Sequence, residues 1–257
     1  MKTDTQIMEL LTNKDRTRIK VGSNLFPELS QITDRQVILM IDGNVLAAYN
    51  NLFQDYPVIE VPVGEMNKNL EKIQFLSRQL IEKEVDRSSF VVGIGGGVTS
   101  DIVGFCASTF MRGLDFGFIA TTLLAQVDAS IGGKNGVNLD GYKNMIGIIR
   151  QPAFVYCDLS FLKTLDQREM ISGTAEVIKY GLINNYPFFN FLEENIQQVL
   201  LRDPAILGET VFQSVKSKTN IVDKDEKELG SRKLLNFGHT LGHAIERSTG
   251  MMHGQAV

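Results

Sequence analysis

Short apolar runs alternate with amphipathic stretches along the first part of the chain, and the period of the pattern changes at each boundary. Val37–Ile41 is a run too short for a helix, closed by the polar Asp42-Gly43-Asn44, and it predicts a buried strand ending in a turn. PVIEVPVGE reads as a second strand. In NKNLEKIQFLSRQLIEKEVD the apolar residues Leu70, Ile73, Leu76, Leu80 and Ile81 recur at helical spacing. SSFVVGIGGG predicts a third strand running into glycines, and VTSDIVGFCASTFM a helix after it. DFGFIATT and AFVYCD add further strands. Strands alternating with helices imply a mostly parallel α/β sheet.

The texture changes after Leu165. Asp166-Gln-Arg-Glu169 has the pattern of a capping box and opens a predicted helix through Lys179. Asp203-Pro204 supplies an N-cap and a first-turn proline for a long helix toward Lys218. No strand-like alternation follows. The pattern therefore predicts an α/β first part and an all-helical second part, without repeats or a low-complexity linker.

Composition narrows the class. A chain of 257 residues suits one large domain or two modest ones. Its 43% hydrophobic and 22% charged residues are ordinary for a soluble globular protein. A net charge of −4 argues against a general nucleic-acid partner, which calls for a basic surface. No apolar run approaches the ~18 residues of a membrane span, so no membrane partner is expected. The opening MKTDTQIMELLTNKDR is polar and unlike a secretory signal. Cys106 and Cys157 each sit in an apolar run and read as buried free thiols of a reducing, cytoplasmic compartment; a single disulfide between them stays open.

Three stretches carry candidate chemistry. Gly93-Ile-Gly95-Gly96-Gly97 lies between a predicted strand and helix, where glycines let a backbone approach a pyrophosphate held at the helix N-terminus. Ser100 stands where the dinucleotide fingerprint has its last glycine, so a plain tight turn is an equal alternative. Gly132-Gly133-Lys134 lacks the first glycine of a P-loop; it reads either as a loop delivering a lysine to an anion or as a turn. All three histidines, His239, His243 and His253, fall at the end of the chain. His239 and His243 share one helix face, but HTLGH has no glutamate beside its first histidine, which excludes the zinc-protease pattern. Gly250 is expected to end that helix and let His253 fold back. Two or three histidines with a carboxylate suit zinc with an open position, and Glu176, in the apolar GTAEVIKYGLI, is the carboxylate of choice.

The segments IGGGVTSDIVGF, RGLDFGFIATTLLAQVDASIGGKNGVN, KNMIG, LKTL, AEVIKYGLI, LLNFGHTLGHAIE and HGQAV, in this order, closely resemble the 3-dehydroquinate synthase family of sugar phosphate cyclases. The match is dense from about Val91 onward, and Gly64-Glu65-x-x-Lys68 is similar to a family element before it. The resemblance implies a Rossmann-like NAD-binding α/β domain over 1–165 and an all-α metal-binding domain over 166–257. It implies a phosphate-eliminating carbon–oxygen lyase that turns 3-deoxy-arabino-heptulosonate 7-phosphate into 3-dehydroquinate, a step toward chorismate and the aromatic amino acids. NAD would oxidise a hydroxyl transiently and be returned unchanged, and the family's habit implies a homodimer.

Carried over by position, Glu176, His239 and His253 resemble the ligands of a divalent zinc or cobalt ion, and His243 a proton relay. Arg112, Lys134, Lys143, Asn144, Lys179, Lys218, Arg232 and Asn236 match contacts to a phosphorylated sugar acid, and Asp128 an acid meeting its hydroxyls. Asp42, Glu65, Lys68, Gly95, Gly96, Gly97, Asp101, Thr121, Thr122 and Thr164 match the nucleotide contacts, with Lys134 and Lys143 at the same border. Two positions depart from the pattern. Gln255 replaces the glutamate of the closing motif and is expected to remove a charge near the metal, and Asn135 replaces a threonine. The family pattern continues past Val257 with further helices and a further basic contact, so a truncated chain is expected. Three rival readings are another sugar phosphate cyclase of the 2-deoxy-scyllo-inosose or epi-valiolone type, a metal-dependent polyol dehydrogenase, and a non-catalytic NAD-binding fragment.

Overall fold

The computed structural model describes residues 6–11 and 16–257, without the side chains of residues 6–8, 10, 11, 16 and 243. In chain order its strands are β1 (Gln6–Leu11), β2 (Arg16–Gly22), β3 (Val37–Asp42), β4 (Val58–Val61), β5 (Phe90–Gly95), β6 (Asp115–Ala120), β7 (Lys134–Leu139), β8 (Tyr142–Ile149) and β9 (Phe154–Asp158). The α-helices are α1 (Gly43–Tyr49), α2 (Leu70–Glu82), α3 (Gly97–Thr109), α4 (Gln167–Asn184), α5 (Tyr186–Leu200), α6 (Pro204–Lys224), α7 (His239–Thr249) and α8 (His253–Ala256).

Seven strands form one sheet in the order β1-β2-β9-β6-β5-β3-β4. Every neighbouring pair is parallel except β1–β2 at the edge. The central strands are buried on both faces, which is why they read as unbroken apolar runs. Alternate residues of β3 divide between the two sides: Ile38 and Met40 join Val91, Val103 and Phe118 under α3, while Leu39 and Ile41 join Phe26, Phe53 and Phe161 opposite. The first core continues without a break through Val177, Tyr180, Val211 and Val215, so α4 and α6 pack directly onto the sheet layer.

The chain passes from β3 out to β4 and returns to β5 on the other side of β3. Such a reversal opens a crevice at the carboxyl ends of the strands, the usual place for a ligand in an open α/β sheet.

Two local expectations change. Asp42-Gly43-Asn44 begins α1 instead of a turn, because the Asp42 carboxylate accepts the Asn44 N–H (2.9 Å) and caps the helix. The hairpin β7–β8 was not anticipated, since KNGVNLDGYKNMIG lacks a sustained period-two pattern. It turns at Asp140-Gly141, both with positive φ (48° and 80°), the requirement of a two-residue hairpin turn. Val137 packs into the core against α3, whereas β8 is largely exposed. No helix among the described residues is long and apolar enough to cross a membrane, and both cysteines are buried and free.

Candidate functional site

The crevice is lined by the connections that leave the sheet. Asp42 ends β3; its second oxygen accepts from the Thr99 hydroxyl (3.2 Å). Gly95-Gly96-Gly97 joins β5 to α3, whose N-terminus carries no side-chain cap and no acidic residue in its first turn. A Cβ on Gly95 would lie 2.6 Å from Thr99 Cβ, and one on Gly96 would lie 3.0 Å from Thr122 Cγ2. Only bare backbone fits this cradle, and its free N–H groups and helix dipole suit a pyrophosphate. Thr122 caps the next helical turn by accepting from the Ala125 N–H (3.1 Å), and Thr121 follows the end of β6. The Thr164 hydroxyl meets the Tyr49 hydroxyl at 2.8 Å.

Lys68 is buried and donates to Asp101 (2.5 Å) and to Asn144 Oδ1 (2.5 Å), which ties α3 to the hairpin. Burial pushes the Asp101 carboxyl up to about 6, and the Lys68 charge offsets this only in part. Glu65 accepts from the Asn138 side chain at 2.8 Å.

The histidines meet on the helical side. Gly250 ends α7 with φ 72°, and the chain doubles back into α8. Gly254 then rests on α4 so closely that a Cβ would sit 2.1 Å from the Ser172 carbonyl oxygen. Its N–H donates to Ser172 Oγ (3.0 Å), and this contact sets His253 against Glu176. Glu176 Oε1 lies 3.2 Å from His253 Nε2 and 3.6 Å from His239 Nε2. One potential ligand atom from each of the three residues falls within 4.8 Å of the others.

The opposite ring nitrogens are held elsewhere. His239 Nδ1 faces the Phe237 carbonyl (3.0 Å), and His253 Nδ1 faces Glu246 Oε1 (2.6 Å). Both partners are acceptors and can hold the Nδ1 hydrogen, which would leave each Nε2 lone pair for a cation bound beside Glu176. This donor set, two imidazole nitrogens and one carboxylate, fits a zinc-type ion with room for substrate. Glu176 is fully buried (0% exposed), and its other oxygen pairs with Lys179, which also donates to the Leu235 carbonyl (2.9 Å).

A charged ring adjoins the cluster. Lys218 donates to Asp128 Oδ1 (2.6 Å) and to its backbone carbonyl (2.7 Å), while the buried Tyr180 hydroxyl donates to the same carboxylate (2.5 Å). Burial alone would raise the Asp128 carboxyl; the ammonium groups of Lys218 and Lys179, with these hydrogen bonds, outweigh it and hold the group far below the usual carboxylate range. Burial draws Lys218 down against the pull of Asp128. Arg232 is buried and donates to the Gly132 carbonyl (2.9 Å), bracing a glycine pair whose φ values of 95° and 70° demand glycine. The GGK segment is thus a tight turn that also presents a lysine: Lys134 pairs with Glu228, which accepts from Asn236 (2.6 Å).

Not every candidate joins this assembly. Arg112 is exposed in the turn after α3, at the N-terminal end of β6, whereas Thr121 and Thr122 follow the C-terminal end. A six-residue strand of roughly 20 Å separates the two ends. The His243 backbone lies in α7, and its side chain is outside the described residues. Gln255 is exposed and folds back to accept from the Met252 N–H (3.3 Å), so its uncharged side chain caps its own short helix. Asn135 is buried and donates to the carbonyls of Gly133 (2.8 Å) and Arg150 (2.9 Å), fastening both ends of the hairpin as a threonine hydroxyl could not.

Three residues outside the sequence reading prove central: Tyr180, Glu228 and Glu246. Tyr180 was hidden within an apolar run. Glu246 falls two turns after His239 on the same helix face, a spacing that could have exposed it.

The family profile described as 3-dehydroquinate synthase N-terminal matches residues 58–172, and its C-terminal counterpart matches residues 173–257. The 3-dehydroquinate synthase of Hydrogenovibrio crunogenus is 46% identical over 235 residues, covering 88% of this chain and 66% of the relative. That of Vesicomyosocius okutanii is 43% identical over 253 residues, covering 93% and 70%. Among solved structures, the 2-epi-5-epi-valiolone synthase ValA from Streptomyces hygroscopicus, with NAD+ and Zn2+ bound, aligns at a TM-score of 0.87 and 25% identity, over 96% of this chain and 72% of that one. The chain spans about two thirds of the length of the relatives it matches. Two adjoining profiles over one continuous core, with relatives above 40% identity along most of the sequence, establish that the chain belongs to the 3-dehydroquinate synthase family.

Proposed function

We propose that this chain carries the site of a 3-dehydroquinate synthase, a phosphate-eliminating carbon–oxygen lyase acting on 3-deoxy-arabino-heptulosonate 7-phosphate. The observation that carries this reading is the convergence of Glu176, His239 and His253 beside a ring of cations at one end of a glycine-lined crevice. Bound there, NAD supplies reversible hydride transfer, and a zinc or cobalt ion polarises substrate hydroxyls. Glu176, His239 and His253 would hold the ion. Asp42, Glu65, Lys68, Gly95–Gly97, Asp101, Thr121, Thr122 and Thr164 would hold the nucleotide.

The remaining work falls to residues of this chain. Lys134, Lys143, Lys179, Lys218 and Arg232 offer charge-assisted hydrogen bonds to a phosphate and a carboxylate, and Asn144 and Asn236 add directional ones. Lys134 and Lys143 are oriented beforehand by Glu228 and Glu246. Asp128, with one oxygen fixed by Lys218 and Tyr180, stays ionised and accepts from a ring hydroxyl. On the family resemblance, His243 moves the proton. We assign residues 1–165 to the nucleotide unit, 166–257 to the metal unit, and the protein to the cytoplasm, a location supported by its two free buried thiols.

The test is phosphate release from that substrate with NAD and zinc, then with a chelator. Chelator-sensitive release without accumulating NADH is the expected result. Net NADH would mark a dehydrogenase, and NAD binding without release a non-catalytic fragment.

We also propose a homodimer. Among the described residues β8 pairs only with β7, and its Tyr142, Met145, Ile148 and Ile149 are exposed along an unpaired edge, which favours pairing with a second chain. Light scattering is expected to give twice the chain mass, and Ile148→Lys to shift it toward the monomer. A wild-type monomer at tens of micromolar would reject the proposal.

A further inference from the structure

Glu246 lies on α7 with its side chain only 4% exposed, yet it belongs to neither the candidate ligand set nor the charged ring. Both of its oxygens are committed. Oε1 takes the Nδ1 hydrogen of His253 at 2.6 Å, and Oε2 pairs with Lys143 at the start of β8. The far side of the same imidazole, Nε2, faces Glu176 at 3.2 Å. One carboxylate therefore links a candidate metal ligand on α8 to the hairpin that carries Lys143 and Asn144.

A merely structural tie between α7 and the hairpin would not need this arrangement. Lys143 is half exposed (48%), and an ion pair with so solvated a partner contributes little. Burial of the carboxylate is offset by Lys143 first and by the His253 Nδ1 contact after it, so the second oxygen is free to grip the imidazole. That grip keeps the hydrogen on Nδ1, turns the Nε2 lone pair toward Glu176 and His239, and raises the basicity of the ring as a ligand.

We propose that Glu246 is a positioning residue that couples metal binding at Glu176, His239 and His253 to docking of the β7–β8 hairpin. The proposal rests on the metal reading of that cluster. Holding His253 in its ligating orientation fixes Glu246, and the fixed Glu246 holds Lys143 and with it the start of β8. A bound ion thereby stabilises the docked hairpin, and the docked hairpin tightens the ion.

The test uses Co2+ alone, titrated into the chain by visible absorption and by competition with a chromogenic chelator. Glu246→Gln leaves one acceptor where two are required and is expected to weaken Co2+ binding about 10–100-fold. Lys143→Gln, at a half-exposed position that spares the fold, is expected to weaken it by a smaller factor. In the Glu246→Gln background it should have no further effect, because among the described residues Lys143 reaches the histidine cluster through Glu246. Amide hydrogen exchange across β8 is expected to slow on Co2+ saturation in the wild type and not in Glu246→Gln.

Wild-type Co2+ affinity in both single variants, or losses that simply add in the double variant, would overturn the coupling. His253→Ala separates the two levels: it must abolish the tight site. If it binds Co2+ as the wild type does, the metal reading itself fails and the coupling falls with it.

Discussion

Glu176→Gln is expected to abolish tight metal binding and phosphate release together, and to destabilise the fold by about 3–5 kcal/mol. Glu176 is the one candidate ligand with no solvent exposure, and Lys179, its partner three residues on, is 4% exposed. Neutralising the carboxylate leaves the Lys179 ammonium buried opposite the Leu235 carbonyl with only Asp128, which pairs directly with Lys218, as a counter-charge. Breaking one side of a buried pair costs more than the pair contributes, because the remaining charge must be kept out of water. In a chain of this size the loss corresponds to a melting temperature lower by roughly 2–4 °C per kcal/mol. Calorimetry reads the stability and isothermal titration with Zn2+ reads the site. A Glu176→Gln protein that binds Zn2+ within tenfold of the wild type would remove Glu176 from the ligand set.

The second large effect is expected at Asp128. Its carboxyl is held below the ordinary value of 3.8 because Lys218, Lys179 and Tyr180 together outweigh the cost of burial. The sign follows from linkage. The unfolded chain takes up this proton at a higher pH than the folded chain does, so the contribution is full above about pH 4 and fades as the pH falls below it. Asp128→Asn is expected to lower stability by about 3–5 kcal/mol at neutral pH, since Lys218 is left buried and unpaired. It should also flatten the acid limb, bringing the variant closer to the wild type as the pH drops. Denaturant unfolding from about pH 3 to about pH 7 checks both. Parallel wild-type and variant curves across that range would mean that folding does not lower the Asp128 pKa. Substrate turnover should fall as well, because the asparagine amide in place of the second oxygen no longer offers a charged acceptor to a hydroxyl.

Hydrophobic patterning alone carried much of the architecture. The runs at Val37–Ile41 and Phe90–Gly95 were legible as strands because burial on both faces leaves no polar position to interrupt them. The spacing of Ile73, Leu76 and Leu80 was legible as a helix because α2 buries a single stripe. Residue chemistry was legible too: three clustered histidines, a glycine cradle and a lone glutamate in an apolar run already outlined metal and anion chemistry. The hairpin was not, since β7 gains its burial from α3 rather than from its own alternation. Nor was the fate of Gln255, whose side chain caps its own short helix.

The meeting of Glu176, His239 and His253 was already expected from the residues and the family resemblance; what the tertiary structure alone decided is how they meet and which of the other groups do. Glu176 and His253 are joined because Gly254 lets α8 rest on the backbone of α4, and Gly250 turns the chain to reach it. Lys218 finds Asp128, Lys134 finds Glu228, and Glu246 bridges His253 to Lys143, while Arg112 is carried to the far end of a strand. Periodicity records which face of a segment is buried, a local property written into neighbouring residues. Convergence depends on how distant segments pack, and no local spacing encodes that.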